Sequence, residues 1–241
     1  MPIVTISVDC ESAISGKCYA RELVQVAEEF TVPLTWLIFV SEKDPLSNIN
    51  LYHTEYYHRI PAWHEMGLLL SFQNSQGYIS DPIERGAAIR LGKDVLKQCH
   101  IKPTCFRAHN FDLLPDDIKN LEDIGILVDG SCCPGAKDKH GVTGPAGPGQ
   151  PYHPSYSNLN EPGIAKIKMV PITTFEGVCA CLDSGWEKVA PSIENSLKMN
   201  AVTHLSLTDD VDNHSTLRKA LHLCKEQNAT FVTLTQLAAY D

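Results

Sequence analysis

Two carboxylates, Asp9 and Glu11, close the first apolar run of the sequence, IVTISVDCE. In an extended chain, side chains two residues apart point the same way, so such a pair can divide work, one carboxylate binding a metal ion and the other taking a proton. A loop-stabilising or helix-capping pair of acids would look the same. Arg107 ends a second apolar run, CFRAHNFD, with His109 and Asp112 close behind; the plain alternative for it is a buried ion pair at the rim of the fold. His204 lies within a third, VTHLSL, where an imidazole is either a proton carrier or a satisfied core residue. Charged groups at the ends of several strands are more informative together than any one alone.

A fourth stretch, HEMGLLLSFQN from His64, opens like half of a metal site and then runs through leucines where ligands would be expected. It is not a metalloprotease helix, which needs a second His four residues after the first. Phosphate-loop and GxSxG patterns are absent, and GPAGPG at 144–149 carries too many prolines for a dinucleotide fingerprint. DDVDN from Asp209 begins like a calcium loop but lacks its turn glycine and terminal Glu, and reads better as acids preceding a helix.

The elements that must position these groups alternate. Runs rich in β-branched and aromatic residues (IVTISV, LTWLIFV, GLLLSF, TCFRA, ILVDG, IKMVPI, VTHLSL, TFVTL) read as strands, most of them nearly all apolar, as parallel strands covered on both faces are. Helical patterns lie between them. In IERGAAIRLGKDVLKQ, Ile83, Ala87, Leu91 and Val95 recur on one face; PDDIKNLEDIG starts with Pro115 in its first turn and stops at Gly125. STLRKALHLCKEQ puts Leu217, Leu221 and Cys224 on one side, with Ser215 as its cap. Eight such strands with interleaved helices predict a single α/β domain over residues 1–241, an irregular (β/α) barrel related to the TIM barrel, with its chemistry on loops at the C-terminal strand ends. One loop is unusually long: His140–Gly163 holds five glycines and five prolines with Tyr152, His153 and Tyr156 among them, and its aromatic content predicts a flap over substrate.

A chain of 241 residues can bury one sizeable core, and its net charge of −9 argues against nucleic acid or an anionic membrane as partner. The N-terminus reaches Asp9 and Glu11 without an apolar leader and the run VPLTWLIFV is too short to span a bilayer, so the expected location is cytoplasmic. Nine cysteines are then expected to be reduced, mostly buried thiols. Cys132 with Cys133, and Cys179 with Cys181, form close pairs, yet neither has a second pair at zinc-site spacing.

In order, TISVDCE, HEMGLLLSF, FRAHNFDLLPDDIKNLEDIGILVDGS, THLSL and the closing NATFVTLTQLA resemble the polysaccharide deacetylase family, the NodB-homology or carbohydrate esterase 4-like proteins, whose fold is a distorted (β/α)7 barrel. The PYHPS loop is similar to a branch found with O-antigen biosynthesis genes. The resemblance implies a metal-dependent hydrolase that removes an N-acetyl group from a sugar. Asp9 would be the general base, Glu11 a ligand of zinc or a similar divalent ion, Arg107 the group orienting Asp9, and His204 the general acid. Apart from the resemblance, His109 behind Arg107 and the loop residues Tyr152 and His153 are expected to contact substrate. The family's two histidine ligands fall, however, on Leu69 and Gln73. Leucine binds no ion, so three possibilities follow: a silent relative that keeps a sugar-shaped cleft and needs no cofactor, a site rebuilt around Glu11 from His64, His109 or His153, or hydrolysis without a metal. The expected function is deacylation of a nucleotide sugar or lipid-linked glycan precursor in surface polysaccharide assembly, with a non-catalytic sugar-binding or assembly protein as the alternative.

Overall fold

The computed structural model describes residues 1–11, 17–41, 49–134 and 144–240, so residues 140–143 at the start of the long loop lie outside it. Strands β1 (Ile3–Cys10), β2 (Thr35–Val40), β3 (Glu65–Leu70), β4 (Cys105–Ala108), β5 (Val128–Asp129), β6 (Lys168–Met169), β7 (Val202–Thr208) and β8 (Thr230–Phe231) form one parallel sheet. Its order is β7-β1-β2-β3-β4-β5-β6, with β8 also pairing to β1. Helices α1 (Ala20–Phe30), α2 (Pro82–Gln98), α3 (Asp117–Asp123), α4 (Trp186–Lys198), α5 (His214–Glu226) and α6 (Leu234–Ala238) lie among the strands. Among the described residues no helix is long and apolar enough to cross a membrane.

The strands bury both faces, but the two faces differ. Val4, Ile6 and Val8 of β1 and Leu205 and Leu207 of β7 pack into the larger apolar cluster with residues of α1, α4 and α5. Their alternating neighbours Thr5, Ser7 and Asp9 register with His204, Ser206 and Thr208. A smaller apolar cluster, Leu37, Phe39, Leu69, Cys105, Val128 and Val170 with Leu234 and Leu237 of α6, packs separately. At Gly67 of β3 the neighbouring strand comes so close that an added Cβ would meet the Cys105 carbonyl oxygen at 2.7 Å and its sulfur nearer still. Gly67→Ala is therefore expected to lower the free energy of unfolding by about 1–3 kcal/mol, the range for overpacking a tight core, read as a shift in denaturant midpoint.

The barrel closes irregularly. β6 and β7 are not paired; instead the chain after β6 hydrogen-bonds to β7, with Thr173 N–H donating to His204 O at 3.0 Å and Ser206 N–H to Ala180 O at 3.1 Å. The described part of the long loop completes this closure. Tyr152 exchanges backbone hydrogen bonds with Met169 of β6, at 3.0 and 2.8 Å, while the Gln150 side chain accepts from Val202 N–H of β7 at 2.9 Å. The described part of the segment expected to cover substrate therefore also staples two strands.

Other expectations also need correction. On α2 the buried face is Arg85, Gly86, Ile89, Gly92 and Leu96, while Ile83 is 79% exposed and Leu91 47%. The cause is Arg85, whose guanidinium lies over the Phe72 ring at 3.5 Å and pairs with buried Asp117 at 2.6 Å, turning a charged residue inward. Pro115 sits just before α3, and Asn213 rather than Ser215 occupies the N-cap position of α5. Helices α1 and α4, the latter with Pro191 inside it, had no counterpart in the sequence reading.

Candidate active site

Asp9 and Glu11 leave the C-terminal end of β1, and Arg107 and His109 leave the same end of β4. The four side chains line one cleft of about 290 Å³, together with Phe111, Cys133, Cys179, Cys181, Asp183 and Thr208. Arg107 is its hub, only 1% exposed. Its Nη1 donates to Asp9 Oδ1 at 2.6 Å and to Ser206 Oγ at 3.0 Å, Nη2 to Ser7 Oγ at 2.8 Å, and Nε to Gly130 O at 3.0 Å. Three of the inward-facing polar residues of β1 and β7, Ser7, Asp9 and Ser206, thus accept from one guanidinium.

Its Nη2 also approaches His204 Nε2 at 3.3 Å. Because guanidinium only donates, Nε2 accepts and the imidazole proton sits on Nδ1, which donates to Val170 O at 3.0 Å. Burial first, and Arg107 next, push the His204 pKa down to about 3. His204 is fully buried and absent from the cleft lining. The imidazole is neutral at physiological pH and contacts Arg107 rather than the cleft.

Asp9 behaves oppositely. Burial raises its pKa to about 6, outweighing the attraction of Arg107, with Glu11 and Asp183 adding to the rise. A carboxylate held there is ionised at neutral pH yet basic enough to take a proton. Glu11 is fixed by its backbone: its N–H donates to Asp209 Oδ1 at 2.8 Å, and Asp209 also accepts from Tyr56 Oη at 2.8 Å. His109 Nε2 stands 3.5 Å from Glu11 Oε1, with its ring edge-on to Phe39.

The remaining candidates lie elsewhere. Tyr152 is buried and its hydroxyl donates to Leu159 O; His153 Nδ1 lies 3.1 Å from Ile167 O. Neither lines the cleft. His64 starts the chain into β3 at the opposite end of the barrel, accepts Leu34 N–H at 2.9 Å and stacks on Trp63. Asp183 was not singled out from sequence, and Asp209 only as the first of the acids preceding a helix. Asp183 follows an alternation, Cys179-Ala180-Cys181-Leu182-Asp183, that could have revealed it.

The residues do not fit the metal that the resemblance implies. Leu69 is fully buried in the smaller apolar cluster, in register with Arg107, and Gln73 belongs to a hairpin with Tyr78. Glu11 and His109 face each other at 3.5 Å. Among the described residues, no group of three His, Cys, Asp or Glu side chains is arranged to hold an ion. The expectation of free thiols is also revised, because Cys133 and Cys179 are joined by a disulfide.

No protein-family model matches this sequence, and no curated protein does. Solved structures do. A protein of Mycobacterium smegmatis provisionally described as a polysaccharide deacetylase is 15% identical with a TM-score of 0.65, over 98% of this chain and 88% of that one. A protein of Parabacteroides distasonis provisionally described as a glycoside hydrolase/deacetylase is 14% identical with a TM-score of 0.68, over 98% and 70%. A CE4 family pseudoenzyme from Bacillus anthracis is 9% identical with a TM-score of 0.60, over 99% and 66%. The fold is thus the NodB-like (β/α)7 barrel of the CE4 polysaccharide deacetylases. At these identities the likeness is one of fold, and the chemistry rests on the cleft.

Proposed function

We infer that this protein is a carbohydrate N-deacetylase-like hydrolase acting on a small acylated sugar, in the form of a nucleotide sugar or a lipid-linked glycan precursor of surface polysaccharide such as O-antigen. The observation that carries the reading is Asp9: a carboxylate raised to about 6, held by Arg107 at the C-terminal end of a barrel strand, in a cleft. A volume of about 290 Å³ admits a single sugar ring or its acylamino group rather than a long polymer segment. Asp9 takes a proton from the attacking water, and Arg107 fixes its orientation. His109, the imidazole that faces the cleft, delivers the proton to the departing amine. His204 is a positioning residue, holding Arg107 through Nε2.

A second reading has its own observation. The absence of a fitting ligand set at Leu69 and Gln73 favours a non-catalytic sugar-binding protein on the same barrel, because amide hydrolysis without a Lewis acid loses several kcal/mol of transition-state stabilisation. Amine release from N-acetylated nucleotide sugars separates the two. The expected result is turnover that falls roughly 10²- to 10⁴-fold in Asp9→Asn and in His109→Gln, the usual range for a lost acid or base. Sugar binding by calorimetry with no amine release from wild type would decide for the second reading.

A further inference from the structure

The cleft carries sulfur that deacylation does not use. Cys133, Cys179 and Cys181 all line it, together with Asp183. Cys179 is paired as a strand with Thr174, and Cys181 makes a parallel bridge with Ser206, so the backbone through both is extended. Alternate side chains then point one way. Ala180 and Leu182 between them are fully buried in the core, which leaves Cys179, Cys181 and Asp183 on the cleft side. Cys133 comes from the other flank, beyond β5, and its sulfur is bonded to that of Cys179.

We propose that Cys133, Cys179, Cys181 and Asp183 form a site for zinc or a similar thiophilic divalent ion, available only when the Cys133–Cys179 disulfide is reduced. Three thiolates and one carboxylate make the tetrahedral, sulfur-rich donor set that zinc favours. The carboxylate is already oriented for it. Asp183 Oδ1 accepts from Thr208 N–H at 3.0 Å and from Asn213 Nδ2, while Oδ2 faces the Cys181 thiol at 3.2 Å. Thr174 Oγ1, which lies 3.2 Å from Ile172 O, also comes within 3.5 Å of Cys179 Sγ. Oxidation removes two of the four donors at once. The chemistry balances: a dithiol or phosphine reductant gives two electrons to the disulfide, yielding two thiols and the oxidised reductant. The ion then displaces one proton from each of the three thiols to solvent.

This site is separate from Glu11, Leu69 and Gln73, and the inference rests on the cleft wall, not on the deacylation reading. The test is titration with zinc alone and with cobalt alone, on full-length protein treated with a phosphine or with a thiol oxidant. Reduced protein should take up one equivalent and show the intense sulfur-to-cobalt charge-transfer absorption of a thiolate site; oxidised protein should show neither. Cys181→Ser keeps the disulfide partners and so guards against misfolding as an explanation. It should weaken zinc binding by more than the roughly 100-fold that loss of an outer-shell partner brings and reduce the absorption in proportion to the thiolate lost. Equal zinc uptake in both redox states, no uptake in either, or uptake that survives Cys181→Ser but disappears in Glu11→Ala would overturn the proposal. Asp9→Asn should leave the absorption unchanged, so a failed deacylase assay and a failed metal site are distinguishable.

Discussion

Arg107→Met is expected to lower the free energy of unfolding by about 3–5 kcal/mol at neutral pH, the range for breaking a buried charge pair by removing one partner. Methionine matches the length of the arginine stem, so the effect is electrostatic rather than a cavity. It strands the Asp9 carboxylate, which has no other cation bonded to it among the contacts described, and it frees Gly130 O, Ser206 Oγ and Ser7 Oγ from their guanidinium donors. His204 Nε2 keeps only Ser7 Oγ, at 2.9 Å. Urea unfolding with an unchanged slope measures the loss directly. Pairing the change with Asp9→Asn should recover part of it, because the second substitution removes the stranded charge; contacting residues are where additivity fails. A loss below about 1 kcal/mol, typical of an exposed pair, would mean that water reaches this network and that the hub described for Arg107 is wrong.

The barrel was legible in the sequence because its strands are dense in β-branched residues and its helices fall between them. All eight expected runs contain a strand, though β5, β6 and β8 keep only two paired residues each. What was read too coarsely was the alternation inside β1 and β7. Thr5-Ile6-Ser7-Val8-Asp9 and His204-Leu205-Ser206-Leu207-Thr208 are not apolar runs with stray polar residues; they are two-sided strands from which Ser7, Asp9, His204 and Ser206 converge on Arg107. That period places His204 Nε2 against the guanidinium, at 3.3 Å. The face of α2 was misread for a related reason: periodicity counts Arg85 as polar and outward, and cannot know that Asp117, thirty-two residues away, waits to neutralise it. The cleft pairing of Glu11 with His109 depends on β1 and β4, which are not neighbours in the sheet, and no local pattern encodes that approach. Tyr152 and His153 were drawn toward the site by composition alone, whereas backbone pairing to Met169 turns the loop into barrel closure.

Asp9 should also govern the pH dependence of stability. Its folded pKa of about 6 lies above the ordinary value of 3.8. Between those values the folded protein binds a proton that the unfolded chain releases, so stability is greatest below pH 4 for this group and falls as pH rises through 6. The full penalty above pH 6 is about 3 kcal/mol, from 1.36 kcal/mol for each unit of displacement. Asp129, raised by burial to about 7, titrates in the same sense but is present in wild type and in Asp9→Asn alike, so it largely cancels when the two are compared. The difference in unfolding free energy should therefore shift in favour of Asp9→Asn by about 2.4 kcal/mol between pH 4 and 8, with most of the change between pH 4 and 6. A difference that stays flat across that range would show that Arg107 holds the carboxylate at its ordinary value, and would remove the base from the site. The same displacement that lowers stability above pH 6 makes Asp9 a proton acceptor there, so kcat/KM for amine release should rise through the same titration. The direction of the two curves is opposite because one protonation equilibrium, set by burying a carboxylate beside a cation that only partly compensates it, drives both.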